Sequence, residues 1–374
     1  MGADETMMTD AAARHALKED LARNHCRIAQ PEDPPLFTRE PDSPSVSNHW
    51  RWSELAPLLE RIGREVDLAS GGPRRTLRLQ DPGLPYGTTP TMWASIQVIL
   101  PGEVATAHRH TANAFRFIMH GTGAWTTVDG ESYPMNEGDL VLTPTQCWHD
   151  HVHRGDAPMI WLDVLDISLM RAMHATFFEG YAQPVQPLLQ VPDASWRRYG
   201  SGLLRPPGMA AAGGPNPLLA YPARVTDEAL AQARGLPADP CDDVVLSYVD
   251  PRNGGPVMTT VDCRAQVLRP GFRGRARRQV GSKIFYVVQG SGTTIVNGHR
   301  FDWSKGDFFT VAPWAWHAHS NPHDGDARLF QVSDAPALKA LGYYREELGP
   351  EGGSNAGSEA GSKAGTEPAP GAGR

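Results

Sequence analysis

Two stretches decide the fold. Residues 97–151 read QVILPGEVATAHRHTANAFRFIMHGTGAWTTVDGESYPMNEGDLVLTPTQCWHDH, and residues 266–319 read QVLRPGFRGRARRQVGSKIFYVVQGSGTTIVNGHRFDWSKGDFFTVAPWAWHAH. They are copies of one pattern. Gly102 aligns with Gly271, Gly121 with Gly290 and Gly123 with Gly292 at an offset of 169 residues. Gly138–Asp139 aligns with Gly306–Asp307, and His149 with His317, at 168, after a one-residue deletion in the second hairpin. A repeat this long is two domains of one fold rather than a solenoid unit. Within each copy, short runs of Val, Ile, Thr, Phe and Trp alternate with Gly, Asp, Asn and Pro, and VDG (128–130) and VNG (296–298) are hairpin-turn signals. The expected core is therefore all-β, two tandem small antiparallel barrels or jelly rolls.

Outward from the repeat, five segments are expected. Residues 1–66 form a helical and extended arm, with helices over 9–26 (entered from Asp10) and 49–66 (entered from Ser53). Residues 67–180 form the first barrel. Residues 181–244 link to the second barrel through a helix near 225–234, and residues 245–345 form that second barrel. Residues 346–374 are a tail, low in complexity from 351 and expected to be disordered. A net charge of -7, from 35 Lys+Arg against 42 Asp+Glu, argues against a nucleic-acid partner. No apolar run approaches the roughly 20 residues that span a bilayer, and MGADETMMTDAAARH has no signal-peptide core. Cys26, Cys147, Cys241 and Cys263 form no CxxC pair, so reduced thiols in the cytoplasm are expected.

The chemistry concentrates in the first copy. His108 and His110 stand at i and i+2, which on a strand puts both imidazoles on one face. His149 follows the GDLVLTP run, on the next wall of the expected barrel. Three converging imidazoles make a facial set for a divalent metal with positions left open. The spacing does not choose the ion, since zinc or nickel suits three histidines as well as iron does. Arg116 lies six residues after His110 and keeps its parity, between Phe115 and Phe117. A guanidinium there is placed to clamp a carboxylate with a forked pair of hydrogen bonds, an exposed strand arginine being the plain alternative. His151, two residues after His149, faces the same cavity. His120, His153 and Cys147 do not fit ligand spacing and read as structural or solvent-facing.

The series Gly102-x5-His108-x-His110, Gly121, Gly138, Pro144 and His149 resembles the two motifs of cupins, and the duplication makes a bicupin. The glutamate that many metal cupins carry after three or four intervening residues beyond the second histidine is replaced by Ala114 or Phe115. A finer resemblance is to the gentisate/salicylate 1,2-dioxygenase family. It is carried by RRTLRLQDPGL (74–84), TMWASIQVILPGEVATAHRHTANAFRFIMHG (91–121), GDLVLTPTQCWHDH (138–151), IWLDVLD (160–166), LRPG (268–271) and YVVQGSG (286–292). The resemblance implies one Fe(II) per chain on His108, His110 and His149. It also implies insertion of both atoms of O2 between the carboxyl-bearing and hydroxyl-bearing carbons of an aromatic acid. It places Arg116, Gln97, Trp93 and Trp161 in the substrate pocket. His151 becomes a group that hydrogen-bonds substrate or oxygen and moves a proton, with Asp163 orienting it. A homotetramer is the assembly it implies.

Arg74, Arg75 and Arg78 precede the PGL turn and are expected near the pocket mouth, Arg74 and Arg78 as substrate contacts. Arg78, Gln80 and Asp81 depart from the family's usual Glu-Asn before PGL, and Ser95 stands where Ala or Gly is usual. These departures point to a 5-substituted salicylate, gentisate or 5-nitrosalicylate, with salicylate and 1-hydroxy-2-naphthoate as alternatives. In the second copy Arg277, Gln279 and Lys283 stand at the His108, His110 and Ala114 positions, so a metal-free, structural barrel is expected there. A cupin isomerase or a ligand-binding protein is the rival reading from another class.

Overall fold

The computed structural model describes residues 3–29, 31–66, 74–204 and 214–350. It falls into two compact units, Met1–Asp42 and Ser43–Arg374. The first holds one helix, Ala3–Arg23. It starts before the expected residue 9, so Asp10 lies inside the helix and is not its cap.

The second unit contains both barrels, each a pair of antiparallel sheets. In the first barrel a six-stranded sheet runs Ala220–Tyr221, Leu140–Thr143, Ala114–His120, Met159–Leu165, Trp93–Ile99, Arg75–Leu79. It faces a five-stranded sheet ordered Phe178–Gly180, Val104–His110, His149–His153, Thr122–Val128, Glu131–Asn136. The second barrel repeats the plan. Its six strands are His49–Trp50, Phe308–Val311, Lys283–Gln289, Ala327–Ser333, Asp262–Leu268 and Val244–Ser247. Its five are His299–Ser304, Ser291–Val296, His317–Ser320, Arg277–Gln279 and Glu346–Leu348. The hairpin signals hold for a physical reason. Asp129 and Gly130 (φ 45° and 79°), like Asn297 and Gly298 (φ 46° and 83°), place two positive φ angles in succession, as the tight turn matching strand twist requires.

The six-stranded sheets are buried on both faces. In the first barrel Ala94, Ile96, Val98, Phe115, Phe117, Leu162 and Val164 point to the second barrel and meet Phe330, Tyr286 and Val332 in one shared core. Phe117 stacks on Phe330 with ring centroids 4.2 Å apart. The alternate residues line the first barrel's own interior. At one end they are apolar, with Ile99, Ile118, Ala124, Met135, Met159 and Trp161 in one cluster. At the other end they are polar, and the candidate site lies there.

Each barrel is completed by the segment that precedes the other. Strand His49–Trp50 adds to the second barrel beside Phe308–Val311, and helix Trp52–Glu65 follows it. Strand Ala220–Tyr221 adds to the first barrel beside Leu140–Thr143, and helix Ala223–Ala233 follows. The two Gly-Asp aspartates start these helices. Asp307 Oδ1 accepts the Trp52 N–H at 2.7 Å, and Asp139 Oδ1 accepts the Ala223 N–H at 2.8 Å. Ser53 therefore lies inside the first turn rather than capping it, because a buried carboxylate from a distant strand takes the free N–H. The boundary expected at residue 66 is crossed in the same way, since residues 43–66 belong with the barrels. The tail is also shorter than expected at its start, since Glu346–Leu348 pairs with Arg277–Gln279. Residues 351–374 lie outside the described residues.

Asp307 also accepts the Ser304 N–H and contacts His49 Nε2 at 3.1 Å. Asp307→Ala should cost about 2–3 kcal/mol in urea unfolding, from a lost cap and stranded donors. A loss no larger than that of an exposed Asp→Ala substitution would show that the exchanged segment contributes little.

Candidate active site

The strand Val104–His110 carries two of the three histidines, and its register explains how. Ala105 pairs with His151 and His108 with His149, so the Val104–His110 strand holds one more residue between pairs than its partner does. That bulge resets the alternation and leaves His108 and His110 facing His149. The ligand atoms of His108, His110 and His149 lie within 4.8 Å of one another. The ring centroids are 4.2 Å apart for His108–His149 and 4.9 Å for His110–His149.

Backbone carbonyls hold the tautomers. His108 Nδ1 lies 2.8 Å from Thr106 O, His110 Nδ1 2.8 Å from Ala112 O and His149 Nδ1 3.1 Å from Cys147 O. With Nδ1–H donating, each Nε2 lone pair is turned inward, and His149 Nε2 is buried without a hydrogen-bond partner. Burial, reinforced by the Arg74 guanidinium, lowers His108 to about 3. Burial lowers His110 to about 4 and holds His149 well below the usual range. Three neutral imidazoles whose Nε2 lone pairs turn inward fit a divalent transition metal. Arg74 Nη2 stands 3.2 Å from His108 Nε2, so its N–H and a metal ion compete for one lone pair. Phe178 stacks on His108 from the edge strand at 5.1 Å.

The opposite sheet supplies the remaining groups. Arg116 and Asp163 are direct cross-strand partners, with Ser95 on the far side of Asp163. Arg116 Nε and Asp163 Oδ1 are 3.1 Å apart but lack hydrogen-bond geometry, so the pairing is Coulombic. Arg116 Nη1 donates to Thr143 Oγ1 at 2.5 Å, and Trp161 Nε1 donates to Asp163 Oδ2 at 3.0 Å. Burial pushes the Asp163 carboxyl up and the Arg116 guanidinium down, and each opposes the other's shift. Arg116 does reach the interior, but the parity argument from His110 fails. The turn at 111–113 moves the chain to the facing sheet, and alternation restarts on Ala114–His120.

Gln97 faces inward opposite Trp161, with Oε1 buried and unpartnered. His151 is buried and its Nε2 is also unpartnered. Its Nδ1 is 2.8 Å from Thr126 Oγ1, whose hydroxyl donates to Met135 Sδ. Thr126 therefore orients His151. This corrects the expectation that Asp163 does so, since that carboxylate is engaged by Arg116 and Trp161 on the other sheet.

The three arginines before the PGL turn separate. Arg74 enters the site. Arg75 is buried in an ion pair with Glu103 at 2.5 Å and donates to Val66 O, so it is structural rather than a mouth residue. Arg78 is exposed, with its guanidinium 4.7 Å above the Trp93 ring. Tyr86 packs on Trp93 at 4.3 Å, and Arg171 lies 3.9 Å over Tyr86. Thr126, Thr143, Tyr86 and Arg171 went unread because no spacing rule connects them to the motifs. His153 Nε2 donates to Ala157 O at 2.7 Å, and His120 is exposed. Cys147 is half-buried, and burial pushes its thiol up.

A family model described as Cupin domain matches residues 95–165 and 265–333. A 5-aminosalicylate 1,2-dioxygenase of Comamonas sp is 37% identical over 354 residues, 93% of this chain and 92% of that enzyme. A gentisate 1,2-dioxygenase of Streptomyces sp is 37% identical over 84% of this chain and 89% of its own length. The chain belongs to the gentisate/salicylate 1,2-dioxygenase family. Its fold is accordingly that of a bicupin. The crystal structure of a salicylate 1,2-dioxygenase from Pseudaminobacter salicylatoxidans superposes with TM-score 0.82 at 35% identity, covering 89% of this chain and 97% of that one. The protein is a ring-cleaving 1,2-dioxygenase, an oxidoreductase, and its His triad could hold a metal ion. Among the described residues no helix is long and apolar enough to cross a membrane.

The buried histidines set an acid limit. The folded values of about 3 and about 4 for His108 and His110 lie below the ordinary 6.5. Above that pH neither state takes up protons and their contribution is full. Below it the unfolded chain binds protons that the folded chain cannot, so stability falls with slope up to about 1.4 kcal/mol per pH unit per histidine. Melting of the metal-free protein between pH 8 and pH 5 should show a falling Tm. A flat profile would mean that these rings are protonated in place.

Proposed function

We propose that the protein holds one Fe(II) on His108, His110 and His149 and opens the C1–C2 bond of a 5-substituted salicylate with both atoms of O2. The observation that carries this reading is the convergence of three neutral, orientation-locked imidazoles across the barrel from the buried Arg116 guanidinium. Bound iron supplies the coordination positions where the aromatic acid and oxygen meet and the path for electrons between them.

The chain's own groups bind and orient. Arg116, held by Asp163 and Thr143, presents donors to the substrate carboxylate. Arg74 is placed to leave His108 Nε2 and meet the same anion once the metal takes that lone pair. Gln97 turns its amide to the substrate's oxygen, and Trp93 and Trp161 wall the ring. His151 holds a proton on Nδ1 against Thr126 and keeps Nε2 available to accept one at the reacting oxygens. Asp163 acts through Arg116 as a positioning residue. Arg78 contributes at the rim by fixing Trp93. The 5-substituted class is favoured by the match to the 5-aminosalicylate enzyme over nearly the whole chain. A 5-nitrosalicylic acid 1,2-dioxygenase of Bradyrhizobium sp matches only 35% of this chain at 30% identity and weighs less. The exposed Phe177, Phe178 and Leu189, at 73%, 72% and 72%, support burial of this edge in a homotetramer. Four free thiols support a cytoplasmic location.

Oxygen uptake by Fe(II)-loaded protein should follow loss of gentisate or 5-aminosalicylate one for one and vanish in His108→Ala. Salicylate, 5-nitrosalicylate and 1-hydroxy-2-naphthoate complete the panel. Cleavage of 1-hydroxy-2-naphthoate alone would sink the substrate assignment, and no uptake with any of the five would sink the activity on this class. Arg116→Met should lower kcat/KM roughly 10²-fold with iron content unchanged. Lost iron instead would make Arg116 part of the metal's support.

A further inference from the structure

The second barrel's interior is not plain packing. At its polar end it keeps Gln266 in the position of Gln97, His317 in that of His149 and His319 in that of His151. Thr294 Oγ1 holds His319 Nδ1 at 2.8 Å, as Thr126 holds His151. The ligand positions have changed sign: Arg277 stands for His108, and Lys283 for Ala114. A guanidinium and an ammonium cannot ligate a cation and repel one.

The charges there do not all find partners. Arg277 pairs with Asp242, and Glu346 lies 3.7 Å from its Nη1. Arg264 pairs with Asp262 at 2.8 Å. Lys283 is 1% exposed, and its hydrogen-bond contact among the described residues is the neutral His317 Nε2 at 3.4 Å. Burial, then Arg277, pulls its ammonium down to about 7. On the same barrel's inner strands and beside them, Arg277 Nε, His319 Nε2, Gln266 Oε1, Gln331 Oε1 and Asp242 Oδ1 are buried without hydrogen-bond partners, with His319 Nε2 4.0 Å from Asp242 Oδ1. His319 Nδ1 is tied outward to Thr294, so its Nε2 points into the barrel. Buried polar atoms left unpaired oppose folding, and five within one barrel call for a complement. That complement needs negative charge for Lys283 and the Arg277 Nε–H, and an O–H donor for the glutamine oxygens and the Asp242 carboxylate oxygen. Asp262 and Arg264, on the same strand as Gln266 and of the same parity, also line an open cavity of about 790 Å³.

We propose that the polar end of the second barrel is a binding site for a small hydroxyl-bearing oxyanion, of the bicarbonate or short hydroxycarboxylate class, seated between Lys283 and Arg277. The site needs no metal and is separate from the triad.

Isothermal titration of bicarbonate and of glycolate into the iron-loaded full chain, without aromatic substrate, tests it, and the tighter of the two identifies the source. One equivalent should bind to wild type and to Arg116→Met, whereas Lys283→Met should weaken binding at least about tenfold. Gln331→Leu, which keeps volume and charge, should also weaken binding at an unchanged Tm and serves if Lys283→Met does not fold. Binding that is lost in Arg116→Met but kept in Lys283→Met would put the anion in the first barrel and overturn the proposal. Binding indifferent to both Lys283→Met and Gln331→Leu, or no heat from either anion with wild type, would overturn it as well.

Discussion

The two barrels cannot be taken apart, because each is completed by the segment that precedes the other. Asp307 in the second barrel starts the helix that follows strand His49–Trp50, and Asp139 in the first starts the helix that follows strand Ala220–Tyr221. The same exchange forces the six-stranded sheets back to back, where Phe117 and Phe330 join one core. A sheet buried on both faces has no solvated side to absorb polar residues. Of those on its central strands, Ser95, Gln97, Arg116, Thr143 and Asp163 are buried at one end of the barrel interior, and the chemistry gathers there.

Within that end, electrostatics are tightly constrained. Asp163 is the carboxylate that acts on both Arg74 and Arg116, and neutral histidines face them. A dication held on the triad would add more positive charge, which suits an anionic aromatic acid. Removing one partner of a buried pair strands the other, at a cost of about 3–5 kcal/mol. The second barrel solves the same problem differently. It has Arg277 and Gln279 in place of two imidazoles and Lys283 in place of Ala114, and imports Asp242 from outside the repeat.

Much of this was legible in advance. The duplication, the VDG and VNG turns, the triad and the inward placement of His151 follow from strand alternation and aligned motifs, whereas the places of Gln97 and Arg116 in the pocket follow from the family resemblance. Legibility failed where alternation was interrupted. The bulge in Val104–His110 and the turn at 111–113 each reset the parity used to place residues, so Arg116 arrives on the expected face by a different strand. Partners that belong to no motif were invisible: Thr126 for His151, Thr143 for Arg116, Glu103 for Arg75.

Local spacing thus dictates which side chains can share a face, because a strand's period of two is a property of the backbone alone. It dictated two barrels, one with three histidines placed to converge and one with Arg277 and Gln279 at two of those positions. Which sheet lies opposite which, which aspartate caps which helix, and whether Asp163 serves His151 or Arg116 depend on contacts between residues tens to hundreds of positions apart. Those contacts are decided only when the shared core closes, since burial there selects the one arrangement in which the polar end of each barrel is enclosed.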